Sequence, residues 1–245
     1  MKLRIAKEQM NKFIFDVDGT LTPSRGKIDK EFAAWFEHFA THNACYFVTG
    51  SDKMKTVEQV GLPIYNLALR VYNCNGNDVW EQNRNVHQNE WILEETPHTF
   101  LAQCLTESKF PLRTGQHFEH RPGMVNFSVV GRGADKEQRA QYVEYDNKKA
   151  ERLKIAHSFN TMFPDLEAKV GGETGIDISP KGCNKSQILN DFDLNKDTMI
   201  FFGDAMHIGG NDEPLAIANK SGINYHVQDW KDTWRKLDEN FSNRT

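Results

Sequence analysis

No apolar run in this sequence approaches the roughly 18–20 residues that a membrane-spanning helix needs. An excess of positive charge is missing too: 30 Lys and Arg stand against 34 Asp and Glu, for a formal charge of −4. That balance leaves no electrostatic footprint for nucleic acid or an anionic membrane, and both are excluded as expected partners. Cysteine is scarce, and Cys45, Cys74, Cys104 and Cys183 show no CxxC spacing. A zinc site or a disulfide framework is therefore not expected, and the four read as reduced thiols. The opening "MKLRIAKEQMNKF" lacks the apolar stretch of a secretory signal, so the expected compartment is the cytosol. Internal repeats and low-complexity segments are absent as well. What is present, 245 residues with 38% hydrophobic content, can bury a core in one large domain or two small ones.

The periodicities divide the chain. Phe13 to Phe15 read as a short buried strand, and Phe32, Trp35, Phe36 and Phe39 recur at helical spacing between about Asp29 and His42. "CYFVTG" reads as a second strand, followed by a helix with Ser51 as N-cap and Gly61 as terminator. Strand and helix in alternation predict a parallel sheet covered by helices. The pattern changes after about Cys74. "NGNDVW" reads as a turn, Met124 to Val130 alternate like a half-buried antiparallel strand, and residues 135 to about 159 read as one long helix. On that helix Ala140, Val143, Ala150, Leu153 and Ala156 fall on or near one face. Beyond Pro180 the first pattern resumes: a helix near Lys185 to Asn190, the strand "TMIFFGD", a last strand at "INYHV" and an amphipathic tail helix. The expectation is an α/β core of residues 1–78 and 180–245 with an α+β unit, residues 79–179, inserted into it.

In "KFIFDVDGTLT" Asp16 and Asp18 stand one residue apart at a strand end, where both could face one crevice. Solvated turn residues are the structural alternative. A calcium loop is not, because counting from Asp16 puts Gly19 fourth and Lys27 twelfth, where that loop needs glycine sixth and glutamate twelfth. "MIFFGDAMHIGGND" repeats the design at Asp204 and adds Asn211 and Asp212. Converging carboxylates repel unless a cation joins them, and hard oxygen ligands suit Mg²⁺, which points to phosphoryl chemistry. One carboxylate can then be the nucleophile and a second the acid and base. Thr49 and Gly50 of "VTGSD" offer a hydroxyl and a backbone amide, and Lys185 a cation, for the phosphoryl oxygens. Thr49 could equally cap a turn and Lys185 lie on the surface.

Taken in order, "FDVDGTLT", "VTGS", Lys185 and "GDAMHIGGND" resemble the four motifs of the haloacid dehalogenase (HAD) superfamily. The resemblance implies a Rossmann-like core with an inserted cap, Asp16 as nucleophile, Asp18 as acid and base, and Thr49 and Lys185 on the phosphoryl group. It implies Mg²⁺ on Asp16, the main-chain carbonyl of Asp18 and Asp204, with Asn211 and Asp212 in its outer shell. "LTPSRGKI", "FEHRPGMVNFSVVGR", "EYDNKK" and "GGETGIDISPKGCNK" are further similar to the eukaryotic-type phosphomannomutases over nearly the whole chain. That family's activity implies interconversion of hexose 6-phosphate and hexose 1-phosphate, mannose preferred, with hexose 1,6-bisphosphate as an activator. A homodimer through the cap is implied as well.

By the same similarity Arg25, Arg121 and Arg132 grip the phosphate remote from the nucleophile and Asp177 takes a sugar hydroxyl, while Asn126 lies in the matching strand without a role. Guanidinium forks suit a phosphate dianion. Three departures stand out: Gly175 where the family has serine, Thr114 beside Arg113 where a further cap arginine is expected, and "GDAMHI" in place of a segment carrying Lys and Thr. They motivate the alternative, a Mg²⁺-dependent sugar-phosphate phosphatase. No role follows for His207.

Overall fold

The computed structural model describes residues 10–242; the first nine residues of the opening segment, read above for a secretory signal, lie outside them. Two compact units divide the chain, residues 1–88 with 184–245 and residues 89–183.

The first unit begins with strand β1 (Met10–Phe15), helix α1 (Lys30–His42) and strand β2 (Ala44–Val48). Asp29 caps α1, its carboxylate accepting from the N–H groups of Glu31 and Phe32. Helix α2 (Lys53–Val60) and the short α3 (Leu62–Leu67) meet at Gly61, which terminates α2 as expected with φ +79°. The N-cap of α2 is Asp52 rather than Ser51, since the Asp52 carboxylate takes the Lys55 N–H at 2.8 Å. Strands β3 (Arg70–Asn73), β4 (Asp78–Glu81) and β5 (Arg84–Gln88) follow. Here the division differs from the expected one. Residues 78–88 extend the first unit's sheet as an antiparallel hairpin, because Val79 is buried in its core and Trp80 packs against it.

The inserted unit contains α4 (Glu95–Glu107), β6 (Phe118–Arg121), β7 (Met124–Ser128), α5 (Lys136–Lys149), α6 (Glu151–Met162), β8 (Leu166–Gly171) and β9 (Gly175–Pro180). Its sheet is antiparallel in the order β6-β7-β9-β8. The long helix expected over 135–159 is two. Asp135 and Gln138 form a capping box at its start, and Ala150 breaks it in left-handed conformation, φ 51° and ψ 41°. The break is itself capped: the Ala150 N–H donates to the Asp146 carbonyl, and the Asp146 carboxylate takes the Arg152 N–H at 2.8 Å. The expected apolar face is only partly the buried one: of its residues Ala156 is in the core, and Val143 and Ala150 are half-buried. Ala140 and Leu153 are exposed, and Tyr142, Ile155, Ala156 and Phe159 fill the core with Leu101, Val125, Phe127, Ile176 and Ile178.

The chain re-enters the first unit through the helix expected near Lys185, a 3₁₀ helix over Lys185–Asp191, then β10 (Asp197–Gly203), α7 (Glu213–Ala218), β11 (Ile223–His226) and α8 (Trp230–Phe241). The seven strands order as β11-β10-β1-β2-β3-β4-β5, parallel from β11 to β3. Both faces of β1 are buried, as a central parallel strand requires. Phe13 and Phe15 pack with Phe36, Phe47 and Phe202, whereas Ile14 joins Val48, Tyr72 and Phe201. Among the described residues no helix is long and apolar enough to cross a membrane.

Candidate active site

Register brings the acidic strand ends together. Phe15 pairs with Phe202 on one side and Phe47 on the other, so Asp16, Asp204 and Thr49 leave neighbouring strands at the same edge. The Asp16 N–H donates to the Phe202 carbonyl at 2.9 Å and carries the pairing one residue past the end of β1. Carboxylate oxygens of Asp16, Asp204 and Asp212 lie within 4.8 Å of one another. Lys185 is fully buried between two of them, with Nζ 2.5 Å from Asp16 Oδ1 and 2.7 Å from Asp212 Oδ1.

The charges do not cancel, since three carboxylates face one ammonium. Burial raises Asp16 well above the ordinary carboxylate range; Lys185 works against it, and Asp212 and Asp204 add to it. Asp204 is raised by burial first and by Asp212 second. For Lys185 burial favours the neutral form, but Asp16 and Asp212 outweigh it and hold the ammonium above its usual range. A divalent cation fits this donor set: it supplies the missing charge, and the donors are hard oxygens. Gly19 shows how tightly the cluster is built. Its φ is +79°, and a Cβ there would stand 2.4 Å from Asp204 Oδ2, so only glycine fits.

The other expected residues divide. The Asp18 carboxylate is outside the three-carboxylate group and accepts from Gln59 Nε2 and the Arg25 N–H, both at 2.7 Å, and from Ser51 Oγ at 3.4 Å. Thr49 is buried and its hydroxyl oxygen accepts the Ser51 N–H at 3.1 Å, so Ser51 links the Thr49–Gly50 loop to Asp18. Asp212 also accepts the Ala205 N–H at 3.0 Å, fixing the loop after β10. Asn211 is exposed, and His207 is exposed with Nδ1 against the Ile208 carbonyl. Two contributors went unforeseen: Gln59 on Asp18, and His226, whose Nε2 lies 2.9 Å from the Asp204 carbonyl. No sequence signal marks either, because each acts from a separate element.

In the inserted unit a second polar cluster forms by register. Glu119 pairs with Asn126 and Asn126 with Asp177, one row across β6, β7 and β9. Asn126 Nδ2 donates to Asp177 Oδ1 at 2.6 Å, and Arg132 Nη1 is 3.4 Å from Asn126 Oδ1. Arg121 Nη2 and Arg132 Nε both ion-pair with Glu119, which sequence reasoning passed over although "FEHR" places it on the same strand face as Arg121. Burial raises Asp177 above its usual range, while Asn126 and the arginines pull it back. Gly175 is tightly placed, since a Cβ would meet Asn126 Nδ2 at 2.4 Å. Arg113, although exposed, spends its guanidinium group on the carbonyls of Leu105, Ser108, Phe110 and Leu112, a structural use. By contrast Arg139 in the first turn of α5 keeps a buried Nε without a partner, with Nη1 3.8 Å from Glu173.

A family model described as eukaryotic phosphomannomutase matches residues 32–243. The Saccharomyces cerevisiae phosphomannomutase is 31% identical over 238 residues, covering 94% of this chain and 93% of the yeast protein. Phosphomannomutase 1 of Homo sapiens is 31% identical over 240 residues, 93% of this chain and 91% of the human protein. Among solved structures, a haloacid dehalogenase-like hydrolase from Bacteroides thetaiotaomicron superposes with TM-score 0.61 at 11% identity, over 95% of this chain and all of that one. A trehalose-6-phosphate phosphatase related protein gives 0.55 at 19% identity, covering 93% of this chain and 96% of that one. These two show the fold, HAD-like and mixed α/β. The sequence matches extend nearly end to end, through both units and both polar clusters, and the chain belongs to the eukaryotic phosphomannomutase family.

Proposed function

We propose that this enzyme interconverts mannose 6-phosphate and mannose 1-phosphate through an aspartyl-phosphate on Asp16. The observation that carries the reading is the near full-length relationship to phosphomannomutases, joined to a buried Asp16 held by Lys185 at the strand edge. In the first half-reaction the phosphoenzyme passes its phosphoryl group to a free sugar hydroxyl: the O–P bond to the sugar forms, the bond to Asp16 breaks, and Asp18 takes the hydroxyl proton. The hexose bisphosphate then returns its other phosphate to Asp16, and Asp18 protonates the departing sugar oxygen. Lys185, Thr49 and the Gly50 N–H offset charge on the phosphoryl oxygens. Asp16, Asp204 and the main-chain carbonyl of Asp18 would hold Mg²⁺, with Asn211 and Asp212 assisting from outside, and the ion, when bound, would supply positive charge to the phosphoryl oxygens. Arg25, Arg121 and Arg132 take the sugar's other phosphate, and Asp177 a sugar hydroxyl. Arg139 joins this set, because a buried guanidinium donor without an acceptor suits an anionic ligand. The same reading includes a cytosolic enzyme and a homodimer through the inserted unit, which cell fractionation and sedimentation test.

One observation favours hydrolysis as the second reading: no side-chain hydroxyl can stand at Gly175 without displacing Asn126. A phosphorus NMR time course with mannose 1-phosphate and Mg²⁺ separates the two. Mannose 6-phosphate growing in, faster with a trace of hexose 1,6-bisphosphate, is the expected result. Inorganic phosphate as the sole product would make the enzyme a phosphatase.

A further inference from the structure

The polar row of the inserted unit contains an oddity. A cluster read as binding phosphate already holds an anion, because Glu119 sits between Arg121 and Arg132. One carboxylate oxygen, Oε1, accepts from both Nε and Nη2 of Arg121, at 2.9 and 2.7 Å. The other, Oε2, faces Nε of Arg132 as an ion pair. Two roles are open to such a carboxylate. It can be a stand-in that a phosphate displaces, or a fixed support that holds both guanidinium groups in place for it.

Three observations favour support. Oε2 is shut off from solvent, and Arg132 Nε faces it as an ion pair rather than a hydrogen bond, so the carboxylate is a buried counter-charge there. Glu119 takes Nε and Nη2 of Arg121 on one oxygen and faces Nε of Arg132 with the other, so a single carboxylate bridges both guanidinium groups. And Glu119 belongs to the row that runs on through Asn126 to Asp177, with Arg132 Nη1 against the same Asn126, so moving it would disturb the sugar-hydroxyl contact too. Without a carboxylate between them, two guanidinium groups this close repel and splay. Side-chain exposures of 19% for Arg121, 29% for Glu119 and 38% for Arg132 place the support deeper than one of the arginines it serves.

We propose that Glu119 is a positioning residue, the fixed counter-charge that keeps Arg121 and Arg132 aligned to receive the phosphate remote from Asp16. The proposal rests on the reading of Arg121 and Arg132 as that phosphate's ligands. Glu119 itself does not touch the substrate and takes no part in phosphoryl transfer. Its effect is on retention of a doubly anionic group, and small aryl phosphates, which have no second anionic group to hold, do not feel it.

Steady-state kinetics of the full-length enzyme test this with Glu119→Gln, Glu119→Asp, Arg132→Ala and the Glu119→Gln/Arg132→Ala double variant. Mannose 1-phosphate is the substrate that feels the grip, and para-nitrophenyl phosphate the one that does not. Glu119→Gln is expected to raise KM for mannose 1-phosphate about tenfold, the equivalent of one charge-assisted contact, with aryl phosphate hydrolysis unchanged within about twofold. Glu119→Asp, which keeps the charge, recovers part of the loss. In the Arg132→Ala background Glu119→Gln costs less than it does alone, since the two act through one contact. A KM that falls or stays put in Glu119→Gln overturns the proposal in favour of a displaceable anion or no role. Equal losses on both substrates, shared by Glu119→Asp, overturn it in favour of a fold contribution. If Arg132→Ala itself leaves mannose 1-phosphate unaffected, the phosphate-grip reading fails and takes the proposal with it. That outcome differs from a loss in Arg132→Ala with Glu119→Gln intact, which removes Glu119 alone.

Discussion

Asp16 is the residue on which most depends, and its surroundings pull two ways. Burial disfavours its ionised form, while Lys185 favours it, and the net shift is upward. An ionised Asp16 therefore costs the metal-free fold stability at neutral pH, and a neutral isostere removes that cost. Asp16→Asn should lose turnover by at least about a thousandfold, as loss of a nucleophile does, with its thermal midpoint equal to or above that of the parent. Turnover assays beside a melting curve check both halves. Retained turnover would take the nucleophile role from Asp16, and a collapsed midpoint would show that Lys185 needs both of its carboxylates for folding.

At the scale of elements, the junction of α5 and α6 is where backbone strain is visible. Ala150 holds φ 51° and ψ 41°, a conformation that costs an L-residue roughly 1–2 kcal/mol and glycine almost nothing. Against that stands the added freedom glycine gives the unfolded chain, about 0.5–1 kcal/mol. Ala150→Gly should therefore stabilise the inserted unit slightly, by about 0.5 kcal/mol, seen as a small rise in the midpoint of chemical denaturation. A β-branched residue at the same position, Ala150→Val, should lower it. The break explains why an even helical pattern misleads here: Asp146 and Arg152, six residues apart, cap it through the Arg152 N–H and through an ion pair from Arg152 Nε at 2.8 Å.

For the whole molecule the acidic cluster links metal, pH and stability. Asp16 and Asp204 both have raised values in the fold. Between the unfolded carboxylate range and those raised values the folded state binds more protons than the unfolded one. Stability of the metal-free protein therefore falls as pH rises through that window. Mg²⁺ requires the ionised carboxylates, so its stabilisation should grow in the same direction. The expected result is a Mg²⁺-induced rise in thermal midpoint that is larger at about pH 7.5 than at about pH 5.5 and is abolished by excess EDTA. Equal shifts at both pH values would place the ion away from these carboxylates.

The sequence by itself determined the alternation of strands and helices, the parallel core and the carboxylates at strand ends, because each rests on local periodicity or on residues a few positions apart. Phe13 to Phe15, Phe32 to Phe39 and Gly61 were legible for that reason, and so were Asp16, Asp204 and Asp212 as converging carboxylates, whereas Asp18, expected among them, is held apart by Gln59 and the Arg25 N–H. Only the tertiary structure decided what depends on partners distant in the chain. The Lys185–Asp212 pair, the hold of Gln59 on Asp18, the hairpin of residues 78–88 joining the first sheet and the row from Glu119 to Asp177 all arise where separate strands come into register. Strand register is set by the packing of whole faces, and no local pattern encodes it.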